Sequence, residues 1–129
     1  MKTINPVVWF EIYVDDLPRA QKFYEKVLDV KLSNLPTPNS EMEAMEMCAF
    51  PMEMDGEGAG GALVKMEGVK SGGNSTIIYF GSKDCAVEES RIKEAGGHIL
   101  QAKQSLGEHG FMVLGTDTEG NTFGVHSEL

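Results

Sequence analysis

Phe10-Glu11-Ile12-Tyr13-Val14-Asp15-Asp16 precedes a helical stretch and then Val30-Lys31-Leu32. About 68 positions later Ile78-Tyr79-Phe80-Gly81-Ser82-Lys83-Asp84 precedes a second helical stretch and then His98-Ile99-Leu100. A period of half a 129-residue chain marks two copies of one supersecondary unit. Residues 7–14 alternate, with Val8, Phe10, Ile12 and Val14 on one side and Trp9, Glu11 and Tyr13 on the other. This is the period of a strand with one apolar face. Asp15-Asp16-Leu17-Pro18 carries the signals of a helix start, acids at the positive end and proline in the first turn. Leu17, Ala20, Phe23, Tyr24, Val27 and Leu28 then recur at helical spacing and supply a stripe to lay on the apolar strand face.

Outward from that stretch the pattern predicts a strand over 30–35, a Pro-rich loop over 36–40, and strands over 43–52 and 61–67 split by the turn-rich residues 55–60. Ser71-Gly72-Gly73-Asn74 links the halves. The second half repeats the order: a strand over 75–82, a helix over 84–95 with Gly96 as its C-cap, and strands over 98–103, 110–117 and 122–127. Each unit reads β-α-β-β-β, the repeats covering about 5–67 and 75–127 of a single domain, 1–129. The expected class is α+β, two such units forming an open, trough-like mixed sheet.

Composition narrows the functions. The balance of 41% apolar and 24% charged residues is that of a soluble globular protein. No apolar run is long enough for a membrane span, and Met1-Lys2-Thr3 leads into a strand rather than a signal peptide. A net charge of −9 opposes nucleic acid and anionic membranes as partners. Cys48 and Cys85 lack metal-like spacing, which fits free thiols in a reducing, cytoplasmic setting. Met42, Met45, Met47, Met52 and Met54 crowd one acidic stretch and read first as core filling.

Taken together, several segments resemble the vicinal oxygen chelate superfamily, which includes glyoxalase I, extradiol dioxygenases, fosfomycin-resistance enzymes and bleomycin-binding proteins. They are Phe10 to Leu17, Arg19-Ala20 with Phe23-Tyr24, Gly60-Gly61-Ala62-Leu63-Val64, Glu94-Ala95-Gly96-Gly97 and Asp117-Thr118-Glu119-Gly120-Asn121. Gly107-Glu108-His109-Gly110-Phe111 and Gly124-Val125-His126-Ser127 resemble a subset of small glyoxalase-like members. The resemblance implies the paired-unit fold, a small-molecule ligand in the trough and a homodimer, and it leaves the reaction open. It also implies metal ligands at Trp9, at Gly61 or Ala62, at Ile77 and at Gly124, where indole, alkyl and glycine offer a divalent ion nothing. The expectation is therefore no cofactor, a relocated divalent metal being the alternative.

Strand parity aims Glu11 and His126 at the trough side, each two positions beyond an emptied ligand position. A carboxylate and an imidazole suit general acid–base work. They would equally satisfy one another in a polar floor, or serve with Glu108 or His109 as donors to a displaced metal. Trp9, Tyr13, Ile77 and Tyr79 are candidate binding walls or plain core, Gly124 (with Gly61) is expected to leave room for a ligand, and His109 to cap the site. The expected function is a glyoxalase/bleomycin-resistance-like protein that binds a small organic molecule, catalysing a lyase or isomerase reaction through Glu11 and His126. Non-catalytic drug sequestration is the alternative, and a metal-dependent lactoylglutathione lyase-like enzyme with relocated ligands is a further one.

Overall fold

A computed structural model of the chain describes residues 5–36, 45–53, 55–73 and 75–129. Met42, Met54, Asn74 and the first two residues of the strand expected over 43–52 lie outside them. Among the described residues the order is β1 (Val7–Tyr13), α1 (Leu17–Leu28), β2 (Ser33–Leu35), β3 (Met45–Ala49), β4 (Gly60–Met66), β5 (Thr76–Gly81), α2 (Cys85–Ile92), β6 (His98–Ser105), β7 (Phe111–Thr116) and β8 (Thr122–Ser127). This is the expected α+β class, with the β-α-β-β-β order present twice. The chain divides into two compact units, Trp9–Thr76 on the one hand and Met1–Val8 with Ile77–Leu129 on the other.

In the unit Trp9–Thr76 the strands run β2-β3-β4-β1. β4 is parallel to β1, with Phe10 opposite Gly61 and Glu11 opposite Ala62, while β3 is antiparallel to β4, with Cys48 opposite Leu63. The apolar parity of β1 meets half of the predicted stripe, Leu17, Ala20 and Tyr24, while Phe23, Val27 and Leu28 stay exposed. Val14, Leu32, Cys48 and Leu63 form the buried centre, and Ile12, Leu17, Ala20 and Tyr24 pack against it. Phe50 joins Phe10 and Tyr24 through ring contacts of 5.5 and 5.8 Å. Asp16 caps α1 by accepting the Arg19 N–H at 3.0 Å, with Pro18 in the first turn.

The second strand is shorter than its pattern. Asp29, at φ 54°, closes α1 in the left-handed conformation, and the Leu32 N–H donates to the Glu25 carboxylate at 2.9 Å. Residues 30–32 thus spend their backbone on the helix end rather than on a ladder, and only Ser33–Leu35 pairs with β3. Gln21 also donates to Glu25, and these bonds hold its carboxyl below the usual range.

The other unit has the same strand order read from its far edge, β5-β8-β7-β6. Cys85, Ile92, Val113 and Val125 make its core, with Phe111 and Phe123 against them. Asp84 caps α2 through the Ala86 N–H at 3.0 Å. The helix stops at Ile92 rather than 95, because the Gly97 N–H returns to the Ile92 carbonyl and Gly96, at φ 102°, reverses the chain. Both cysteines are buried and free, and burial pushes the Cys48 thiol up.

Candidate functional site

The parity that lays Ile12 and Val14 against α1 puts Trp9, Glu11 and Tyr13 on the opposite side of β1. Their cross-strand neighbours there are Ala62 and Val64 of β4, both 0% exposed, and beyond them Met47 and Ala49 of β3. A carboxylate amid such apolar surface loses hydration and needs donors. Glu11 is 8% exposed and has them within its own strand. The Trp9 indole Nε1–H donates to Oε2 at 3.1 Å, and the Tyr13 hydroxyl donates to Oε1 at 2.9 Å. One donor on each oxygen fixes the plane of the carboxyl group. Burial first, and then the Glu11 charge and hydrogen bond, hold the Tyr13 phenol far above its ordinary value, so Tyr13 is a donor throughout the physiological range.

His126 lies on β8, between Val125 and Ser127, which face the core of the other unit. Its Nε2 stands 2.6 Å from the His109 carbonyl. A carbonyl only accepts, so Nε2 is assigned the proton, and in the neutral ring Nδ1 keeps the lone pair. His109 ends a single turn of 3-10 helix, Gly107–His109, and presents its backbone to His126 while its own ring is exposed. Gly110 permits this approach, because its φ is 93° and an added Cβ would meet the Ser127 carbonyl and approach His126 Nε2 to 3.2 Å. Ser127 anchors the strand end. Its hydroxyl accepts the Cys85 N–H at 2.9 Å and donates to the Leu129 carbonyl at 2.8 Å, so the imidazole sits on an ordered strand rather than a frayed terminus.

Two sequence expectations change here. The room that Gly124 was to leave is taken: Tyr79 stands directly opposite it, and an added Cβ at 124 would fall within 2.3 Å of the Tyr79 ring. Gly61 was expected to open the same space, but it faces the α1 side, where the Phe10 ring covers it. Of the two aligned positions, Ala62 is the one on Glu11's face. The structure therefore gathers Trp9, Glu11 and Tyr13 in one unit, and Tyr79 with Gly124 and His109 with His126 in the other. Ile77 is half-buried on β5. The Ser127 anchor went unread in the sequence, since a serine at a strand end carries no signal for a helix more than 40 residues earlier.

The divalent ion implied by the resemblance does not fit these residues. Trp9 offers an N–H already given to Glu11, Ala62 and Ile77 offer alkyl groups, and the space at Gly124 holds an aromatic ring. Among the described residues, no three His, Cys, Asp or Glu side chains come together as a metal site.

Residues 4–125 match the family model of the Glyoxalase/Bleomycin resistance protein/Dioxygenase superfamily. Among solved structures, the chain is similar to methylmalonyl-CoA epimerase of Streptomyces coelicolor with 2-nitronate-propionyl-CoA bound, at 15% identity and a TM-score of 0.67, over 97% of this chain and 98% of that one. The methylmalonyl-CoA epimerase of Mycobacterium tuberculosis is similar at 12% identity and a TM-score of 0.67, over 96% and 88%. A hypothetical protein from Bacillus halodurans reaches a TM-score of 0.70 at 12% identity, over 95% and 94%. At such identities the likeness is one of fold. No curated protein matched the sequence.

Proposed function

We propose, since the chain belongs to the glyoxalase/bleomycin resistance protein/dioxygenase superfamily, that it binds a small organic molecule as a single domain, with Glu11 as the principal polar anchor. The observation that carries this reading is the Glu11 carboxylate itself, 8% exposed and gripped by Trp9 and Tyr13. A carboxyl group buried in apolar surroundings costs stability that folding alone gives no reason to retain, and a few fixed polar groups amid apolar walls are what orient a ligand. The reaction class is proton transfer of lyase or isomerase kind, the isomerase side drawing on the fold shared with the epimerases. Glu11, oriented by its two donors, takes the proton from the ligand, and His126, beside the His109 carbonyl, is the acid–base candidate of the other unit. Trp9, Tyr13, Ile77 and Tyr79 are binding walls. The expected cellular form is a cytoplasmic homodimer paired through sheet edges or exchanged units, and sedimentation of the purified protein tests the dimeric state.

Sequestration without turnover is the second reading, and one observation favours it. Both Glu11 oxygens already accept a hydrogen bond, which suits a fixed anchor as well as a base. Native mass spectrometry of protein purified from cells, followed by thermal shifts with the compound found, separates the two. A ligand at a hundredfold its Kd stabilises the fold by about 2.7 kcal/mol. Glu11→Gln should reduce that shift under either reading. His126→Ala should abolish turnover while keeping the shift if the protein is an enzyme. Retention of the co-purified compound by Glu11→Gln at undiminished affinity would overturn the proposal.

A further inference from the structure

Helix α1 has a second face, which the core does not use. None of its residues is buried, and Phe23 and Val27, members of the predicted stripe, are 59% and 61% exposed. At about 100° per residue, Lys22, Lys26, Arg19, Phe23 and Val27 occupy one continuous arc of roughly 140° on the outer surface. All five are exposed, and no acidic residue within the helix falls in the arc, while Asp15 and Asp16 border it beside Arg19 and Asp29 borders it beside Lys22 and Lys26. Glu25 lies outside it, with its carboxylate turned to the Leu32 N–H and the Gln21 amide. Lys22 and Lys26 form no ion pair among the described residues. Three cations thus line one side of the arc and two large apolar side chains the other, in a chain whose net charge is −9.

We infer that this face of α1 is a docking surface for an acidic, amphipathic segment of another protein, whose carboxylates meet Arg19, Lys22 and Lys26 while its apolar side chains cover Phe23 and Val27. Charge selects the occupant. The same face of a second copy would set lysine against lysine, a repulsive contact that an isologous pair repeats on both sides. Spacing at i, i+3/i+4 and i+7/i+8 fits a helix or extended segment laid along the about 18 Å of α1.

The probe is a synthetic helical peptide of glutamate and leucine at i, i+3, i+4 spacing, titrated into the full chain labelled for amide NMR. Shifts should be confined to residues 17–28, and added salt should weaken binding. Lys22→Glu combined with Lys26→Glu should cost about tenfold in affinity, and Phe23→Ser a further loss of about that size. Lys22 and Lys26 are exposed, and Phe23 gives up only an edge contact of 5.1 Å with Tyr24, so circular dichroism checks that each variant keeps the fold. A peptide with lysine in place of glutamate should not bind. The inference fails if shifts are absent or lie elsewhere, or if the charge reversals leave affinity unchanged. It fails equally if phosphatidylserine vesicles bind the face in place of the peptide, or if Phe23→Ser abolishes self-association of the free chain.

Discussion

Glu11 illustrates what a single residue discloses and what it hides. Alternation in 7–14 is enough to put it on the face away from α1, because strand parity admits only two choices. That its neighbours two positions either side would hold it through hydrogen bonds is a matter of rotamers that no pattern records. The bond from Tyr13 has two measurable consequences. Tyr13→Phe leaves a buried carboxylate oxygen one donor short and should destabilise the protein by about 1–3 kcal/mol at neutral pH, read by urea unfolding. The folded phenol pKa is raised above the unfolded value near 10, so the stability it contributes is full below that pH and lost as pH rises beyond it. Above roughly pH 10 the wild type should lose about 1.4 kcal/mol per pH unit more than Tyr13→Phe. Parallel slopes for the two proteins would show that the phenol does not titrate differently in the two states.

Elements were legible where a face is apolar and opaque where a side chain competes for the backbone. The stripe from Leu17 to Leu28 located α1, whereas the Glu25 carboxylate, by capturing the Leu32 N–H, shortened β2 in a way periodicity does not foresee. Strand β8 shows how distant residues fix an element. Ser127→Ala removes the acceptor of the Cys85 N–H at the start of α2 and should cost about 1 kcal/mol, together with faster hydrogen exchange at Cys85. An unchanged exchange rate would mean that another acceptor replaces the hydroxyl. Gly124→Ala drives a methyl group into the Tyr79 ring and should cost about 1–3 kcal/mol, a loss that Tyr79→Ala in the same chain should partly cancel.

At the scale of the whole molecule, the internal duplication made the element order readable, β-α-β-β-β twice, whereas the strand order, β2-β3-β4-β1 in one copy and β5-β8-β7-β6 in its repeat, depends on pairings that pattern does not carry. The candidate site was only half readable. Polar groups were found by parity, but the contents of the space around them depend on register, which is set by pairing rather than by composition. Surface carboxylates add a property of the entire chain. Asp15, Glu25, Asp84 and Asp117 each accept hydrogen bonds that hold them below the usual carboxyl range: Asp15 from Ser71, Glu25 from Leu32, Asp84 from Lys103 and Asp117 from Asn121. Their contribution is present above the unfolded carboxyl values and disappears as pH falls through the folded ones. The Tm should therefore decline below about pH 4, and Asp117→Asn should decline less steeply. A profile flat down to strong acid would contradict it.

The Tyr79 ring seated over Gly124 also restricts which substitutions position 124 can accept. No larger side chain fits at 124 while the phenol stands there, so any such replacement requires position 79 to shrink as well. Each change made alone is harmful, one by collision and the other by leaving a void, so the two positions are free to vary only as a pair.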